Sequence, residues 1–298
     1  MSQIYVLNRQ TGLIEEEKVY GEAFLKFLYN KPSRIKLFSL ITKPFFSKFY
    51  GWVQKKHFTK RKIQPFIEKY EVDSSEFYDL IHSFHSFNEF FIRKLKKKAR
   101  PLASSPLVMP ADGRYLFYQK IESRDSIEVK GQKFSLAELL QDRKEAERYQ
   151  GGSMIIARLC PTDYHRFHFP CSGFVGKPRL INGPLFSVNP LALNQKISYL
   201  SENKRYITPI QNSEIGRVLY VEVGATFVGS VHQTYPFETE QKKGAEKGYF
   251  EFGGSCLILL FEPDRIIMDE DLRSASAKGL EVKAQMGESL ARCKLDNS

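Results

Sequence analysis

The run from Tyr249 to Phe261 constrains the fold of this chain more than any other stretch. Two glycines, Gly253 and Gly254, stand before Ser255, and an apolar run of strand-forming residues follows. Neither glycine has a Cβ, so the carbonyl of Gly254 is open to close approach. The Ser255 hydroxyl could attack a substrate or its own preceding peptide bond, or the segment could be only a β-bulge with a solvated serine.

Composition limits the classes of protein to which the chain can belong. With 298 residues and 42% hydrophobic residues, it can bury a large core in one or two domains. Its net charge of +11 predicts an anionic partner, such as nucleic acid, a phosphate ligand or an acidic membrane surface. Four cysteines without a C-x-x-C pair predict reduced thiols. No apolar stretch approaches the ~20 residues of a membrane span, and residues 1–10 lack a secretory pattern, so we expect a cytosolic protein.

Positive charge is concentrated between Lys31 and Lys62, where ten basic residues and no acidic one occur among seven aromatic residues. Spacings such as Phe45-Phe49-Trp52 are helical, and this pattern is typical of amphipathic helices that lie in anionic headgroups. Packing of the aromatic residues into the protein body and nucleic-acid binding are the alternatives. Because the chain has no zinc-finger spacing and no RNP-like motif, we favour the membrane surface and predict no nucleic-acid partner.

A change of pattern near residue 100 predicts two parts. Before it, apolar residues at helical spacing predict a helix from about Ser74 to Leu95. After it, short β-branched and aromatic segments predict a β-rich part interrupted by one helix, with strands at Tyr115–Tyr118, Met154–Leu159, Val218–Val223, Phe227–Val231 and Cys256–Phe261 and the helix around Leu136–Arg148. We therefore predict an α+β fold, with a basic, helical, membrane-surface-binding region over residues 1–100 and a β-rich catalytic domain over residues 101–298.

Two polar clusters in the β-rich part offer partners for Ser255. One is Pro110-Ala111-Asp112-Gly113, a turn signature whose carboxylate could also form only an Asx-turn. The other, Asp163–Pro170, contains His165 and His168, whose ordinary pKa near neutrality suits a general base. Asp112, His168 and Ser255 together supply the carboxylate, imidazole and hydroxyl of a serine hydrolase. However, no G-x-S-x-G elbow surrounds Ser255.

A zinc site is the competing interpretation of the histidine cluster. Cys160, His165, His168 and Cys171 offer four zinc-type ligands. Their spacing fits no common zinc-finger or zinc-ribbon pattern, and a cysteine between apolar residues is commonly just buried. We therefore predict no metal site.

The order of these motifs resembles the phosphatidylserine decarboxylases, pyruvoyl-dependent enzymes that make phosphatidylethanolamine. The resemblance runs from about Phe87 to the C-terminus. It rests on motifs in the family's order, namely Phe87-Asn88-Glu89-Phe90-Phe91-Ile92-Arg93, Pro110–Gly113, Asp163–Pro170, Leu185–Asn189, Val223–Thr226 with Val228–Ser230, Lys243–Gly248 and Phe252–Ser255. Residues 1–86 match less sharply, although a basic amphipathic N-terminal region is similar to the family's membrane-binding helices. Cys256 stands where many members have Ser or Thr, and its effect on processing stays open.

The resemblance implies a proenzyme that cuts itself between Gly254 and Ser255. His168, oriented by Asp112, would take the proton of the Ser255 hydroxyl. An N-to-O acyl shift and elimination would then leave a covalent pyruvoyl group at position 255. This group would form a Schiff base with the amine of phosphatidylserine and accept the electron pair left when carbon dioxide departs. His165 would return a proton to the carbanion.

The resemblance also implies partners and a location. The substrate would be phosphatidylserine, the two fragments would stay associated, and the enzyme would act as a peripheral protein at the cytoplasmic face of the cell membrane. A serine hydrolase acylated at Ser255 and a basic membrane-binding protein are the alternatives, and both predict an intact chain. The sequence leaves open the acyl-chain preference and the oligomeric state, a homo-oligomer included.

Overall fold

The apolar runs of the sequence form the centre of one large sheet in the computed structural model, which describes residues 4–17, 44–121, 127–226, 230–253 and 255–294. In chain order the strands of these ranges are β1 Tyr5–Asn8, β2 Ile14–Glu16, β3 Leu107–Val108, β4 Gly113–Tyr118, β5 Ile127–Val129, β6 Gln132–Phe134, β7 Ser153–Leu159, β8 Arg166–His168, β9 Gly173–Val175, β10 Arg179–Ile181, β11 Arg205–Asn212, β12 Gly216–Gly224, β13 Val231–Gln233, β14 Thr239–Gln241, β15 Glu246–Phe250, β16 Ser255–Phe261, β17 Ile266–Met268, β18 Glu281–Ala284 and β19 Ser289–Cys293.

The large sheet runs in the order β14-β9-β11-β12-β16-β7-β4-β18-β1-β2, with β10 also paired to β11. The pairing of β1 with β18 is parallel, and the other described pairs of this sheet are antiparallel. Both faces of β16 are covered, because alternate side chains enter two different cores. Cys256, Ile258 and Leu260 enter one core, and Leu257, Leu259 and Phe261 enter the other. This burial explains why the sequence of β16 is apolar throughout.

Smaller sheets and short helices surround the large sheet. Three strands pair in the order β13-β15-β8, three in the order β17-β19-β3, and β5 pairs with β6. The described α-helices are α1 Pro44–Gln54, α2 Ile63–Tyr70, α3 Phe87–Phe91, α4 Leu136–Leu140, α5 Arg143–Arg148, α6 Pro190–Leu193, α7 Tyr199–Glu202 and α8 Glu270–Ala277, with 3-10 turns at His57–Lys62, Ser74–Glu76 and Ile81–Ser83.

The predicted α+β class is confirmed, and four of the five predicted strands are present as β4, β7, β12 and β16. The fifth, Phe227–Val231, falls largely outside the described residues, and β13 begins at its last residue. Within residues 1–100, β1 and β2 are strands, so this region is not helical throughout. The division into two domains at residue 100 stays a prediction.

The single helix predicted from Ser74 to Leu95 is wrong. Two 3-10 turns and α3 occupy this segment, because short polar side chains satisfy backbone groups locally and interrupt the helix. The Asp73 carboxylate accepts from the Ser75 N–H, and the Ser86 hydroxyl accepts from the Glu89 N–H and caps α3. The helix predicted around Leu136–Arg148 is likewise two helices, α4 and α5, separated by Gln141 with a φ of +46°.

The aromatic residues of the N-terminal region pack around one residue of the β-rich part, Phe252. Their cluster consists of Ile63, Phe66, Ile67, Phe77, Phe84, Phe87, Phe90, Phe91 and Phe252. The ring centroids of Phe87 and Phe91 lie 5.2 and 4.9 Å from that of Phe252. The helical region therefore packs on the chain two residues before Gly254.

The basic segment Lys31–Lys62 is described from Pro44 onward, and residues 31–43 lie outside the described residues. In α1, Phe49 and Trp52 stack on each other with centroids 6.0 Å apart and are more than half exposed, as is Phe58. The Lys56 ammonium lies 3.9 Å from the centroid of the Trp52 ring. Across the described part of the chain, no helix is both long enough and apolar enough to cross a bilayer.

Candidate active site

Ser255 is the first residue of β16 and lies in the middle of the large sheet. Its backbone is opposite Gly224 of β12 on one side and Leu159 of β7 on the other. The side chain is fully buried, and among the described residues its Oγ has no hydrogen-bond partner. A buried polar group without a partner costs about 1–3 kcal/mol. A hydroxyl at this position therefore points to a chemical use.

The backbone just before Ser255 has a conformation that favours glycine. Gly253 has a φ of +141°, which side-chain-bearing residues rarely adopt. Gly254, the other residue of the predicted cleavage site, lies outside the described residues. The chain therefore bends at Phe252-Gly253, and β16 begins at the serine, one residue before the predicted strand.

His165 is fully buried on the turn between β7 and β8, with its ring against that of Phe91 at a centroid distance of 3.9 Å. Its Nδ1 lies 3.0 Å from the carbonyl oxygen of Asp163, and its Nε2 has no hydrogen-bond partner in the part of the chain that the structure describes. Because a carbonyl can only accept, Nδ1 carries the proton, and Nε2 keeps an open lone pair. Burial lowers the pKa of His165 to about 4, so the ring is neutral at pH 7.

His168 lies at the end of β8 with both ring nitrogens in use. Its Nδ1 lies 3.0 Å from the carbonyl oxygen of Gly244, and its Nε2 lies 3.2 Å from the hydroxyl of Tyr164. The carbonyl fixes the proton on Nδ1, so Nε2 accepts from the Tyr164 hydroxyl. Burial lowers the pKa of His168 as well.

Asp112 is held by an arginine rather than by a histidine. Its two oxygens accept from the Arg100 guanidinium, at 2.9 Å from Nε and 2.6 Å from Nη2, and Oδ1 also accepts from the Met286 N–H at 2.8 Å. Asp112 acts on His168 only through its charge. The hydrogen-bonded relay Asp112–His168–Ser255 of a serine hydrolase is therefore not formed among the described atoms, because the Nδ1 proton of His168 faces the Gly244 carbonyl and its Nε2 faces Tyr164.

A buried charge cluster, which the sequence analysis did not predict, supports the turn that carries His165. Arg114 Nη1 donates to both Asp163 oxygens at 2.6 and 2.5 Å, and the Cys160 N–H donates to Asp163 Oδ2 at 2.7 Å. The Asp163 side chain thus fixes the turn, while its carbonyl accepts from His165.

The same cluster extends to both ends of the described chain. Glu17 Oε1 forms an ion pair with Arg114 Nε at 2.9 Å, Glu17 Oε2 accepts from Arg158 Nη2 at 3.0 Å, and Arg158 also pairs with Glu281. Opposing charges lower the pKa of Glu281 to about 2, against the effect of its burial. The available sequence signal was an arginine inside each of two apolar strands, Arg114 in β4 and Arg158 in β7.

A second buried pair, Lys247 with Glu222, also escaped prediction. Both side chains are fully buried, and the Lys247 ammonium donates to Glu222 Oε1, to Thr208 Oγ1 at 3.0 Å and to Gln233 Oε1 at 2.8 Å. Burial lowers the pKa of Lys247 and raises that of Glu222. Lys247 belongs to β15 and Glu222 to β12. The spacing of the two residues in the sequence does not predict that they pair.

A cleft of about 470 Å³ opens beside Asp112 and Tyr164, with Arg93, Arg100 and Asp163 also on its walls. The four candidate zinc ligands are not gathered in it. Cys171 is buried in a hydrophobic core, the Cys160 thiol donates to Glu17 at 2.7 Å, and all four cysteines are free. Among the residues that the structure describes, no group of three or more His, Cys, Asp or Glu side chains could hold a metal ion.

Comparison with known proteins gives consistent results over nearly the whole chain. A family model described as phosphatidylserine decarboxylase matches residues 87–292. A phosphatidylserine decarboxylase proenzyme of Chlamydia muridarum is 49% identical over 292 residues, covering 97% of each chain. A proenzyme of the same name from Clostridium novyi is 44% identical over 291 residues, covering 96% of this chain and 98% of the relative.

The burial of His165 predicts a pH-dependent stability. An unfolded histidine has a pKa near 6.5, whereas that of native His165 is about 4, so the native state binds fewer protons between these values. The contribution of this residue is complete above pH 6.5 and decreases as the pH falls towards 4. Relative to His165→Asn, the protein should lose roughly 2 kcal/mol of unfolding free energy between pH 7.5 and pH 5. Urea denaturation at the two pH values measures this loss, and equal losses in both proteins would contradict it.

Proposed function

The chain belongs to the phosphatidylserine decarboxylase family, and we propose from this premise that it is a proenzyme that cleaves itself at Ser255 and then decarboxylates phosphatidylserine to phosphatidylethanolamine. The observation that carries the proposal is the buried, unpaired hydroxyl of Ser255 at the start of a central strand. In the uncleaved chain a substrate in solution cannot reach this hydroxyl, whereas its own preceding peptide bond is adjacent. This burial argues against the serine hydrolase, and the comparisons support neither alternative function.

The proposed cleavage is an acyl shift followed by an elimination. Ser255 Oγ loses its proton to a base and bonds to the carbonyl carbon of residue 254. The C–N bond then breaks as the nitrogen of residue 255 takes a proton, which leaves an ester. Loss of the α-proton of residue 255 expels the carboxylate of residue 254 and leaves dehydroalanine. Water converts dehydroalanine into a pyruvoyl group and ammonia.

Two histidines are candidates for the base, and different observations favour each. The resemblance to the family assigns the base to His168 and its orientation to Asp112. The hydrogen bonds favour His165, because its Nε2 is open while that of His168 faces Tyr164. We retain His168 as the proposed base, with Tyr164 releasing its Nε2 for the reaction, and we assign to His165 the proton transfer of turnover.

The surroundings of Ser255 fit a pyruvoyl group, because the side chain of residue 255 is enclosed in the protein and no described side chain hydrogen-bonds to it. Such a group supplies an electron-accepting carbonyl for decarboxylation. His165 is neutral at pH 7 and holds its proton on Nδ1, so Nε2 can take a proton and then deliver it to the α-carbon of the substrate. The buried position of this ring limits loss of the proton to water.

The exposed surface of Phe49, Trp52, Lys56 and Phe58 is our candidate for the membrane contact. Aromatic rings with basic side chains beside them suit the headgroup region of an anionic bilayer. Such a surface would bring the enzyme to a lipid substrate in the bilayer. We therefore propose that the protein acts as a peripheral protein at the cytoplasmic face of the cell membrane.

The two fragments should stay associated after cleavage. Residues 255–298 contribute β16, which pairs with β12 and β7, and β18, which pairs with β4 and β1. The four neighbouring strands, β12, β7, β4 and β1, all belong to the larger fragment. Separation would break backbone hydrogen bonds along both strands, so the fragments should separate only when the sheet unfolds.

Cleavage should yield fragments 1–254 and 255–298, visible on a denaturing gel. Ser255→Ala should abolish both cleavage and decarboxylation, because it removes the nucleophile without changing the packing. Ser255→Cys should still cut, more slowly, since a thiol can make the same acyl shift. The small fragment should resist N-terminal sequencing and show the mass of a pyruvoyl terminus. A fully active, intact chain with a free serine at position 255 would refute the proposal.

The two histidines should separate the two stages. His168→Ala and Asp112→Asn should slow cleavage by roughly 10²–10⁴-fold, the usual contribution of a general base. His165→Ala should still be cleaved but should decarboxylate poorly. Time courses on gels and carbon dioxide release measure the two rates separately. Normal cleavage of His168→Ala together with an uncleaved His165→Ala would transfer the role of base to His165.

Membrane binding should depend on charge and on the aromatic surface. Each basic residue near an anionic surface contributes about 1 kcal/mol to the free energy of membrane binding, and salt should weaken this attraction. Vesicles that contain phosphatidylserine should sediment the protein better than phosphatidylcholine vesicles, and Trp52→Ala should reduce this binding. Phe237, exposed in the β-rich part, gives a matched control, Phe237→Ser, that should bind normally. Equal binding to both vesicle types at low and high salt would refute the predicted contribution of charge to membrane binding.

A further inference from the structure

The two residues Glu251 and Phe252, which lead into the predicted cleavage site, are held by the N-terminal helical region. The Lys55 ammonium lies 2.6 Å from Glu251 Oε1, and His232 Nε2 lies 3.3 Å from the same oxygen. The Glu251 side chain is only 12% exposed, whereas that of Lys55 is 48% exposed. Burial raises the pKa of Glu251, but the contacts of His232 and Lys55 outweigh this effect and lower it, so the carboxylate is charged at pH 7.

Phe252 is fixed by both its backbone and its ring. Its N–H donates to Oδ1 of the buried Asn88 at 3.1 Å. Its ring lies in the aromatic cluster, 4.9 Å from that of Phe91, and Tyr50 of α1 contacts it at 5.8 Å. The backbone of Glu251 is also tied, because its N–H donates to the carbonyl of Ser230 at 3.2 Å.

Ser255 is fixed independently on the other side of the cleavage site. Its strand, β16, pairs with β12 and β7 from Ser255 to Phe261. Two glycines, which have the greatest backbone freedom, separate the two fixed points. The approach of the carbonyl of residue 254 to Ser255 Oγ therefore depends on how firmly residues 251 and 252 are held.

We propose that Lys55 is a positioning residue for self-cleavage, acting through the Glu251 carboxylate, which it shares with His232. This inference rests on the proposed self-cleavage at Ser255. An error of about 1 Å in the approach of a nucleophile can cost 10²-fold in rate, so the loss of one anchor has a measurable effect. Lys55 directly follows α1, and the ion pair therefore joins the end of α1 to the segment that is cut.

The test is the rate of cleavage of newly synthesised chain, followed on denaturing gels in a membrane-free translation system. Lys55→Gln should cleave roughly tenfold more slowly. Lys55→Arg, which keeps the positive charge, should cleave at nearly the normal rate. Lys144→Gln, a substitution of an exposed lysine on α5, is the matched control and should cleave normally. Because Lys55 is half-exposed, its substitutions should leave folding intact.

A double-mutant cycle distinguishes positioning from a general loss of stability. Glu251→Gln keeps the shape of the side chain and should slow cleavage to a similar extent. Adding Lys55→Gln to it should cause little further slowing, because both changes remove one interaction. Thermal denaturation, measured for each variant in the uncleaved Ser255→Ala background, should give midpoints close to that of Ser255→Ala alone. Fully additive slowing, or slowing that follows the loss of stability, would overturn the inference.

The Ser255→Ala control separates this inference from the proposed function. If Ser255→Ala is still cleaved, self-cleavage at this serine is wrong and the role of Lys55 falls with it. If Ser255→Ala stays intact but Lys55→Gln and Glu251→Gln are cleaved at the normal rate, only the role of Lys55 is lost.

Discussion

The ion pair between Arg114 and Asp163 is the interaction on which the candidate site depends most directly. It holds the turn after β7, and the carbonyl of Asp163 fixes the proton of His165 on Nδ1. Glu17, Arg158 and Glu281 complete the buried cluster and join the two ends of the described chain to β4 and β7. Removal of one member of a buried ion pair typically costs 3–5 kcal/mol, because its partner is left uncompensated. The orientation of one histidine is thus tied to the whole sheet.

The sequence predicted the central strands well, and it named candidate catalytic residues whose roles stay predictions. The strands could be predicted because runs such as Cys256–Phe261 are apolar on both faces, and such runs form buried central strands. The residues Ser255, His165 and His168 could be named because each occurs in a local motif whose chemistry can be inferred without knowledge of the fold.

What the sequence could not predict depends on contacts between distant residues. Asp112 pairs with Arg100, and Glu17 pairs with Arg158, which is 141 residues away in the chain. The hydrophobic periodicity of the sequence does not indicate which charged residues pair. The helix expected from Ser74 to Leu95 failed for a different reason. Its apolar spacing was correct for burial in the aromatic cluster, but short polar side chains satisfied the backbone locally and broke the helix.

The position of Ser255 within the sheet determines when, relative to folding, the proposed active group can form. β16 lies between β12 and β7, so its first residue reaches its buried position only after strands from three distant parts of the chain have paired. On the proposed chemistry, a chain that has not completed this sheet keeps an ordinary serine and is catalytically inert. The active group therefore forms only in molecules that have already folded. In the protein with Ser255 and its surroundings unchanged, the fraction of chain that stays uncleaved should therefore report on the fraction that has not folded.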